Sequence, residues 1–226
     1  MRRFLCALVL LVATWTPEVP SAVETGSIHG SVKLKSRVRG NAIPTAAYTP
    51  RAVERFQPPP TPEISYVLVY LKGLAPQASL PVMSREMVQE HEAFVPRVLA
   101  VTRGSSVSFP NADPIFHNVF SLSGAALFDL GRYPRGQSRN RVFSKAGLVK
   151  VYCHIHSQMS ASIMVFDHPF FAAPTENGAF EITGVPAGRY TIVGWHERVG
   201  ERSRSIEVTA GEQTEIELAL PVDVAS

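Results

Sequence analysis

The sequence lacks several features that would point to a specific class of protein. Its 22 lysine and arginine residues against 19 aspartate and glutamate residues leave a formal net charge of +3, too weak to indicate nucleic-acid binding. No apolar run is long enough to span a bilayer, and after the first residues no other long apolar run occurs. No stretch has convincing helical periodicity. With 45% apolar and 18% charged residues, the chain has the composition of an ordinary folded protein, which excludes wholesale disorder.

The amino-terminal residues have the pattern of an export signal. Met1-Arg2-Arg3 precedes an apolar run over residues 4–15 that is shorter than a membrane span, so residues 1–22 are interpreted as a cleaved export signal. Ala22 is the expected cut. Proline at position 20 is unusual so close to a cleavage site. Two alternatives therefore stay open: cleavage a few residues away, or an uncleaved segment that anchors the protein in the membrane. We expect a periplasmic or secreted protein with no membrane span after cleavage and a mature net charge of about +2.

Cysteine is scarce, since only Cys6 and Cys153 occur and Cys6 would leave with the signal. A single thiol in an oxidising compartment has three explanations: an inert buried cysteine, an intermolecular disulfide or a metal ligand. The neighbours favour the metal, because Cys153, His156 and Met159 form C-x2-H-x2-M at the tip of an expected hairpin. A thiolate, an imidazole and a thioether suit copper, whereas zinc sites rarely use methionine.

Short β-type segments separated by turn residues predict an all-β fold. Residues 40–63 contain six prolines and predict a solvated loop, and residues 131–141 predict a basic surface loop. Strands are expected over residues 26–34, 64–72, 86–92, 97–102, 105–110, 116–120, 142–143, 149–153, 161–166, 179–183, 189–195, 205–209 and 213–220.

The copper hypothesis needs a second histidine, because the trigonal electron-transfer set has two imidazoles and one thiolate. Strand alternation puts Val149, Val151 and Cys153 on one face, so the thiol should point inward. His117 is the best candidate for the second imidazole, since it follows a loop, lies in an apolar run and precedes Asn118, whose side chain can tie neighbouring loops. Taken alone, His117 would normally be explained as a histidine that only packs inside a sandwich, but the imidazole missing from the Cys153 loop favours the ligand.

Residues 85–168 resemble the cupredoxins, the blue-copper β-sandwich family. The resemblance is carried by Phe94-Val-Pro, Val107-Ser-Phe-Pro-Asn, His117-Asn118 and Val151-Tyr-Cys153-x2-His156-x2-Met159-x-Ala161, in which the short C-x2-H-x2-M loop is similar to that of amicyanin-like members. It implies a cupredoxin-like Greek-key sandwich with one type 1 copper ion and no catalytic residue. The implied ligands are His117, Cys153 and His156 in the equatorial plane and Met159 on the axis, with the edge of His156 as the electron exit.

His154 departs from the family pattern, since it adjoins the thiolate in a loop without proline. It could compete as a ligand, but consecutive residues leaving a strand favour a side chain that points away. Multicopper oxidases have a histidine on both sides of this cysteine, and Tyr152 replaces the first, so oxidase chemistry is disfavoured. Four histidines lack ligand-like neighbours and are expected to be surface or packing residues: His29, His91, His168 and His196.

The flanking segments resemble a second family. Asn177-Gly-Ala-Phe-Glu-Ile-Thr-Gly-Val-Pro-Ala-Gly-Arg-Tyr-Thr-Ile resembles the middle of a carboxypeptidase-regulatory-like β-sandwich, and Gly26-Ser-Ile-His-Gly-Ser-Val resembles its opening strand. We therefore expect residues 23–84, with the Pro-rich loop at 40–63, and residues 169–221 to form a second, smaller sandwich. The cupredoxin domain, residues 85–168, would be inserted in it.

These observations predict an exported one-electron carrier that is not an enzyme and that works with a redox protein such as a dehydrogenase or a cytochrome. Two other classes stay open: a copper-binding or delivery protein, disfavoured by the lack of Cys-rich or Met-rich tracts, and a non-redox β-sandwich scaffold. Four basic residues would steer an acidic partner or simply be solvated, namely Arg132, Arg135, Arg139 and Arg141.

Overall fold

The computed structural model describes residues 24–36 and 62–222, and the regular structure in these ranges is β-strand apart from one 3-10 turn at Glu63–Tyr66. The all-β prediction is confirmed. The expected signal at 1–22 and nearly all of the Pro-rich loop at 40–63 lie outside the described residues. In the described ranges, no helix has the length and apolar character needed to cross a membrane.

Seventeen strands follow one another along the described chain. In order they are β1 (Thr25–Ser36), β2 (Val67–Lys72), β3 (Ser84–Glu86), β4 (Val88–Glu90), β5 (Ala93–Val95), β6 (Val98–Thr102), β7 (Ser106–Pro110), β8 (His117–Ser123), β9 (Ala126–Tyr133), β10 (Ser138–Val142), β11 (Gly147–Tyr152), β12 (Ser160–Phe166), β13 (Phe171–Ala172), β14 (Ala179–Pro186), β15 (Gly188–His196), β16 (Gly200–Val208) and β17 (Gln213–Val222).

Four sheets stack as successive layers with a hydrophobic core between each neighbouring pair. Sheet 1 has the order β14-β1-β17, sheet 2 β13-β2-β15-β16, sheet 3 β6-β12-β11-β8-β9 and sheet 4 β10-β7-β3, while β4 and β5 form a separate hairpin. One core joins sheets 1 and 2, a second joins sheets 2 and 3, and the largest joins sheets 3 and 4. Sheets 1 and 2 form one sandwich, and sheets 3 and 4 form the other.

The first sandwich is assembled from both ends of the described chain. β1 lies in the centre of sheet 1, antiparallel to β14 and parallel to β17, and in the described ranges it pairs with no strand of residues 84–166. Gly30 allows this close packing, since a Cβ there would lie 2.3 Å from the carbonyl oxygen of Ile216. The chain therefore leaves this sandwich after β2 and returns to it at β13. The expected domain boundaries at 84/85 and 168/169 stay a prediction.

β2 is buried on both faces, because sheet 2 lies between sheets 1 and 3. Residues 67–71 are all buried. Val69 and its alternate neighbours belong to the core against sheet 1, whereas Leu68 and Tyr70 belong to the core against sheet 3. Two buried faces explain why this strand reads as a continuous apolar run and not as an alternation.

Two local predictions are wrong. Residues 131–141 are not a loop, because Arg132 lies in β9 and Arg139 and Arg141 lie in β10, with only a short turn between the strands. β10 is an exposed edge strand held by backbone pairing to β7, so its sequence needs no apolar alternation. The strand expected over 86–92 is divided at Met87, since β3 pairs with β7 and β4 pairs with β5.

Candidate metal centre

Residues 153–159 form the loop of the hairpin between β11 and β12, at one end of sheet 3. The strands stay in register up to Tyr152 and Ser160. Two backbone hydrogen bonds then tie the loop, from the amide of Cys153 to the carbonyl of Met159 at 3.2 Å and from the amide of Met159 to the carbonyl of His156 at 3.0 Å. Cys153 and Met159 are both buried and belong to the core between sheets 3 and 4, as strand alternation predicted for the thiol. His156 is half-buried.

His117 reaches the same point from β8, the strand next to β11 in sheet 3. It is fully buried. Its Nδ1 lies 3.0 Å from Nδ1 of His156 and 3.9 Å from Sγ of Cys153, and Sγ lies 3.7 Å from Nδ1 of His156. The structure thus brings together three residues that the sequence proposed as ligands, although His117 is separated from the loop by more than thirty residues.

Asp113 orients the imidazole of His117. Its Oδ2 lies 2.8 Å from Nε2 of His117, and its two oxygens also accept hydrogen bonds from the backbone amides of His91 at 2.6 Å and Glu92 at 2.9 Å. When the ring is neutral, Nε2 donates its hydrogen to the carboxylate and Nδ1 keeps a lone pair directed at Cys153 and His156; when the ring is protonated, Nδ1 instead donates to the Cys153 thiolate. A neutral ring with its hydrogen on Nε2 is the form that can bind a metal through Nδ1.

Sequence reasoning missed Asp113. The only local signal is its position four residues before His117, in the loop that ends β7. Its pKa is lowered, since burial alone would raise it but the hydrogen bonds from the Glu92 amide, the His117 ring and the His91 amide outweigh that effect. The carboxylate is therefore charged at neutral pH and available to the imidazole.

The thiol of Cys153 has a lowered pKa. Burial would raise it, but hydrogen bonds from the His117 ring, the amides of Asn118 and Ile155, and the His156 ring bring it from the ordinary 9.0 to about 6. The pKa of His117 is raised, because its bonds to Cys153 and Asp113 outweigh the effect of burial. The thiolate, which is the metal-binding form of cysteine, is therefore the favoured form at neutral pH.

Asn118 ties the two ligand-bearing segments together, as its position beside His117 predicted. Its Oδ1 accepts a 2.7 Å hydrogen bond from the amide of His154, and its Nδ2 lies 3.2 Å from the carboxylate of Asp129. The start of β8 is thereby fixed to the loop that carries Cys153. His117 supplies a donor atom and Asn118 holds the loop in place.

The side chain of His154 points away from the donor cluster, as expected. It is 52% exposed, stacks on Phe120 with ring centroids 3.8 Å apart and places Nε2 3.5 Å from Asp129. In the described part of the chain, His117, Cys153 and His156 form the one cluster of three or more metal-binding side chains. Of the other histidines, His29 pairs with Glu181 and His196 with Glu63, and neither belongs to that cluster.

The donor atoms fit a single first-row metal ion. With bonds of about 2.0–2.1 Å to nitrogen and about 2.3 Å to sulfur, two donors of one ion are at most about 4.4 Å apart for a nitrogen and a sulfur and about 4.2 Å for two nitrogens. The observed separations of 3.9, 3.7 and 3.0 Å lie within these limits. A thiolate and two imidazoles are also the equatorial set of electron-transfer copper sites.

No protein-family model matches the sequence, and a search of curated proteins finds no match. Solved structures similar to part of the chain include a purple cupredoxin from Nitrosopumilus maritimus, at 22% identity over 36% of this chain and 98% of that one, with a TM-score of 0.33. A point mutant of amicyanin in its Cu(I) form is 18% identical over 43% of this chain and 98% of that one, with a TM-score of 0.35.

A copper-containing nitrite reductase from Thermus scotoductus is 22% identical over 42% of this chain, with a TM-score of 0.36, and the match spans only 25% of the reductase. All three likenesses cover less than half of the chain at low identity. The assignment of a metal therefore rests on the donor atoms of this chain.

Proposed function

We propose that this protein binds one copper ion through His117, Cys153 and His156, with Met159 as a weak fourth ligand, and carries single electrons between redox proteins. The observation that supports this most is the cluster of two imidazole nitrogens within 3.9 Å of a buried thiol whose pKa is about 6. A thiolate, two imidazoles and a thioether form a soft donor set that copper accepts in both of its common oxidation states.

The chain's own residues would hold these donors still. Bound copper supplies a one-electron couple between Cu(I) and Cu(II). Asp113 fixes the ring of His117, Asn118 fixes the start of the loop, and the two backbone hydrogen bonds between Cys153, His156 and Met159 fix its end. Donors that are held in place move little when the charge at the site changes, which is what a fast electron carrier requires.

The exposure of the donors also favours electron transfer over metal delivery. His117, Cys153 and Met159 are buried, whereas His156 is half-buried. Delivery of copper to another protein requires donors that the receiving protein can replace one after another. A single half-exposed imidazole instead offers an exit for an electron while the metal stays in place.

The proposal extends to the rest of the chain. Residues 1–22 are proposed to direct export to the periplasm or beyond, and a dehydrogenase or cytochrome is the proposed partner. We also propose that residues 23–84 and 169–221 form a carboxypeptidase-regulatory-like sandwich around the cupredoxin domain at 85–168. In support, β1 and β14, which carry the two halves of that resemblance, pair from Ser31 and Ala179 to Thr25 and Pro186.

The experiment is to prepare the protein without residues 1–22, free of metal, and to titrate it with Cu(II). We expect one equivalent of copper to produce an intense thiolate-to-copper absorption that a reductant bleaches reversibly. Cys153→Ser and His117→Ala should abolish the absorption, and His29→Ala, whose ring pairs with Glu181 on sheet 1, should keep it. A folded protein that stays colourless would overturn the proposal, and rapid loss of copper to a mild chelator would support delivery instead.

A further inference from the structure

Glu197 is a buried carboxylate at the boundary between the two sandwiches. It directly follows β15 in sheet 2, and its side chain is only 6% exposed. Its hydrogen-bond partners nevertheless belong to the other sandwich: Nζ of Lys150 at 2.8 Å, Oγ of Ser162 at 2.8 Å and Nε of Arg97 at 3.0 Å. The first sandwich thus inserts one acidic group into a cluster of donors on sheet 3.

These donors lie on both arms of the hairpin that carries Cys153 and Met159. Lys150 is in β11, three residues before Cys153, and Ser162 is in β12, three residues after Met159. Nζ of Lys150 also donates to Oγ of Ser162 at 2.7 Å, which closes the network between the arms. Arg97 extends it with a 3.1 Å bond to Ser160, the residue that follows Met159.

Glu197 is itself held firmly on its own side of the boundary. Its amide donates to the carbonyl of Tyr66 at 3.1 Å. Arg97 and Arg198 both lie against the ring of Tyr66, with their guanidinium carbons 5.5 and 5.8 Å from its centroid. The carboxylate therefore acts from a fixed point, set by the end of β15 and by the 3-10 turn that ends at Tyr66.

Adhesion of the two sandwiches does not require this ionic cluster. Apolar side chains already pack between sheets 2 and 3, among them Leu68 and Trp195 from one side and Val98 and Phe166 from the other. A buried ion pair contributes little net stability compared with apolar packing of the same volume, because both charges lose their hydration. Hydrogen bonds are directional, however, so the cluster restrains the position of the hairpin arms in a way that apolar contact does not.

We propose that Glu197 is a positioning residue for the metal centre: from the neighbouring sandwich it holds the Cys153–Met159 hairpin in the geometry that the donors need. The inference rests on the copper-binding function proposed above. It gives the first sandwich a role in the chemistry of the second. A movement of β15 would therefore be transmitted to the donor loop through the carboxylate of Glu197.

The test compares Glu197→Gln with Glu201→Gln in the protein without residues 1–22. Glutamine keeps the size of the side chain at 197 but removes the charge that Lys150 and Arg97 face. Glu201 is a matched control, because its carboxylate is also hydrogen-bonded but only to Tyr70 and Lys72, both of sheet 2. In metal-free protein, hydrogen exchange at the amides of Cys153 and Met159 should accelerate in Glu197→Gln and stay unchanged in Glu201→Gln.

With copper bound, Glu197→Gln should release the ion to a chelator about tenfold faster than wild type and shift the thiolate-to-copper absorption and the reduction potential. Glu201→Gln should change neither. Unaltered exchange, release and absorption in Glu197→Gln would overturn the inference. If Glu197→Gln does not fold, Ser162→Ala removes one hydrogen bond of the network while Glu197 stays paired with Lys150 and Arg97, and the same criteria apply.

The two proposals fail in different ways. A wild-type protein that binds no copper would refute the copper-binding function, while hydrogen exchange in metal-free protein would still decide whether Glu197 restrains the hairpin. A wild-type protein with the expected absorption, together with a Glu197→Gln variant identical to it, would refute only the positioning role.

Discussion

His117 and Asp113 form a buried hydrogen bond of 2.8 Å between Nε2 of the imidazole and Oδ2 of the carboxylate. Asp113→Asn should weaken copper binding about 10- to 100-fold, as changes to outer-shell partners of ligating histidines typically do. The carboxylate accepts three hydrogen bonds, from the amides of His91 and Glu92 and from the ring of His117. The single side-chain oxygen of asparagine cannot accept all three. A competition titration measures the affinity. Asp167→Asn, whose carboxylate pairs with Arg103 and not with the donor loop, is the control. Equal affinities for Asp113→Asn and wild type would contradict the role of Asp113.

The thiol of Cys153 should titrate well below its ordinary range in metal-free protein. Its pKa is about 6 in the folded state, against an ordinary value of 9.0, although burial opposes the shift. Since folding lowers the pKa, the thiolate's contribution to stability is full above about pH 9 and is lost as the pH falls through about 6. An ultraviolet titration of the thiolate should therefore have its midpoint near pH 6. A midpoint above pH 8 would show that His117 and His156 do not stabilise the thiolate.

His154→Ala should leave the metal site unchanged. The ring stacks on Phe120 at the surface and does not face the donor atoms, so its removal costs a surface contact and no ligand. We expect the thiolate-to-copper absorption to keep its energy and intensity, and copper affinity to stay within about twofold, because the change is confined to the surface. A changed absorption spectrum would mean that His154 enters the coordination sphere once copper is bound.

The arginines of the β9–β10 hairpin should steer negatively charged redox partners. Arg132 and Arg135 are exposed, and Tyr133 between them pairs with His117, which puts them at the metal end of the sandwich. The double change Arg132→Glu and Arg135→Glu should slow oxidation of the reduced protein by hexacyanoferrate(III) several-fold at low salt, and added salt should diminish the difference. Arg189→Glu, an exposed change in the first sandwich, is the control. Equal rates at low salt would leave these arginines as ordinary solvated residues.

Leu68 should be important for stability, because it is fully buried in β2 between sheets 2 and 3. Leu68→Ala should lower the free energy of unfolding by about 2–5 kcal/mol, the usual effect of truncating a buried leucine. Leu122→Ala, at a side chain that is 74% exposed, should change it by less than about 0.5 kcal/mol. Urea denaturation of the metal-free variants measures both. A small effect at Leu68 would indicate that the two sandwiches do not pack against each other as described.

Local spacing predicted the donor loop, but it could not predict what holds the donors in place. Cys153, His156 and Met159 are close in sequence, and the chemistry of their side chains pointed to His117 as the missing imidazole. Asp113 acts on His117 and is itself held by the amides of His91 and Glu92, two residues with positive φ values of 56° and 53°. Glu197 acts across a boundary between two sandwiches. Neither the contact of Asp113 with His117 nor that of Glu197 with the hairpin produces a periodic pattern or a motif in the sequence.

The strands, too, divide into those that the sequence predicts and those that it does not. Strands with one or two buried faces, such as β1 and β12, show the alternation or the apolar run that burial demands, and they were predicted within a few residues. β10 is mostly exposed, with four polar residues before Val142, and owes its conformation to backbone pairing with β7. The sequence of such a strand resembles that of a loop, because its side chains show no pattern that indicates pairing with a neighbouring strand.

The double burial of β2 has a consequence for how this protein can change in evolution. Leu68 shares a core with Val98 and Phe166, whereas Val69, the next residue, shares another core with Ile28 and Leu218. Neighbouring positions of one short strand are thus constrained by two different sets of residues. Among homologous sequences, we expect residues 67–71 to be the slowest-evolving segment outside the metal ligands, and substitutions at 68 and at 69 to covary with separate partners.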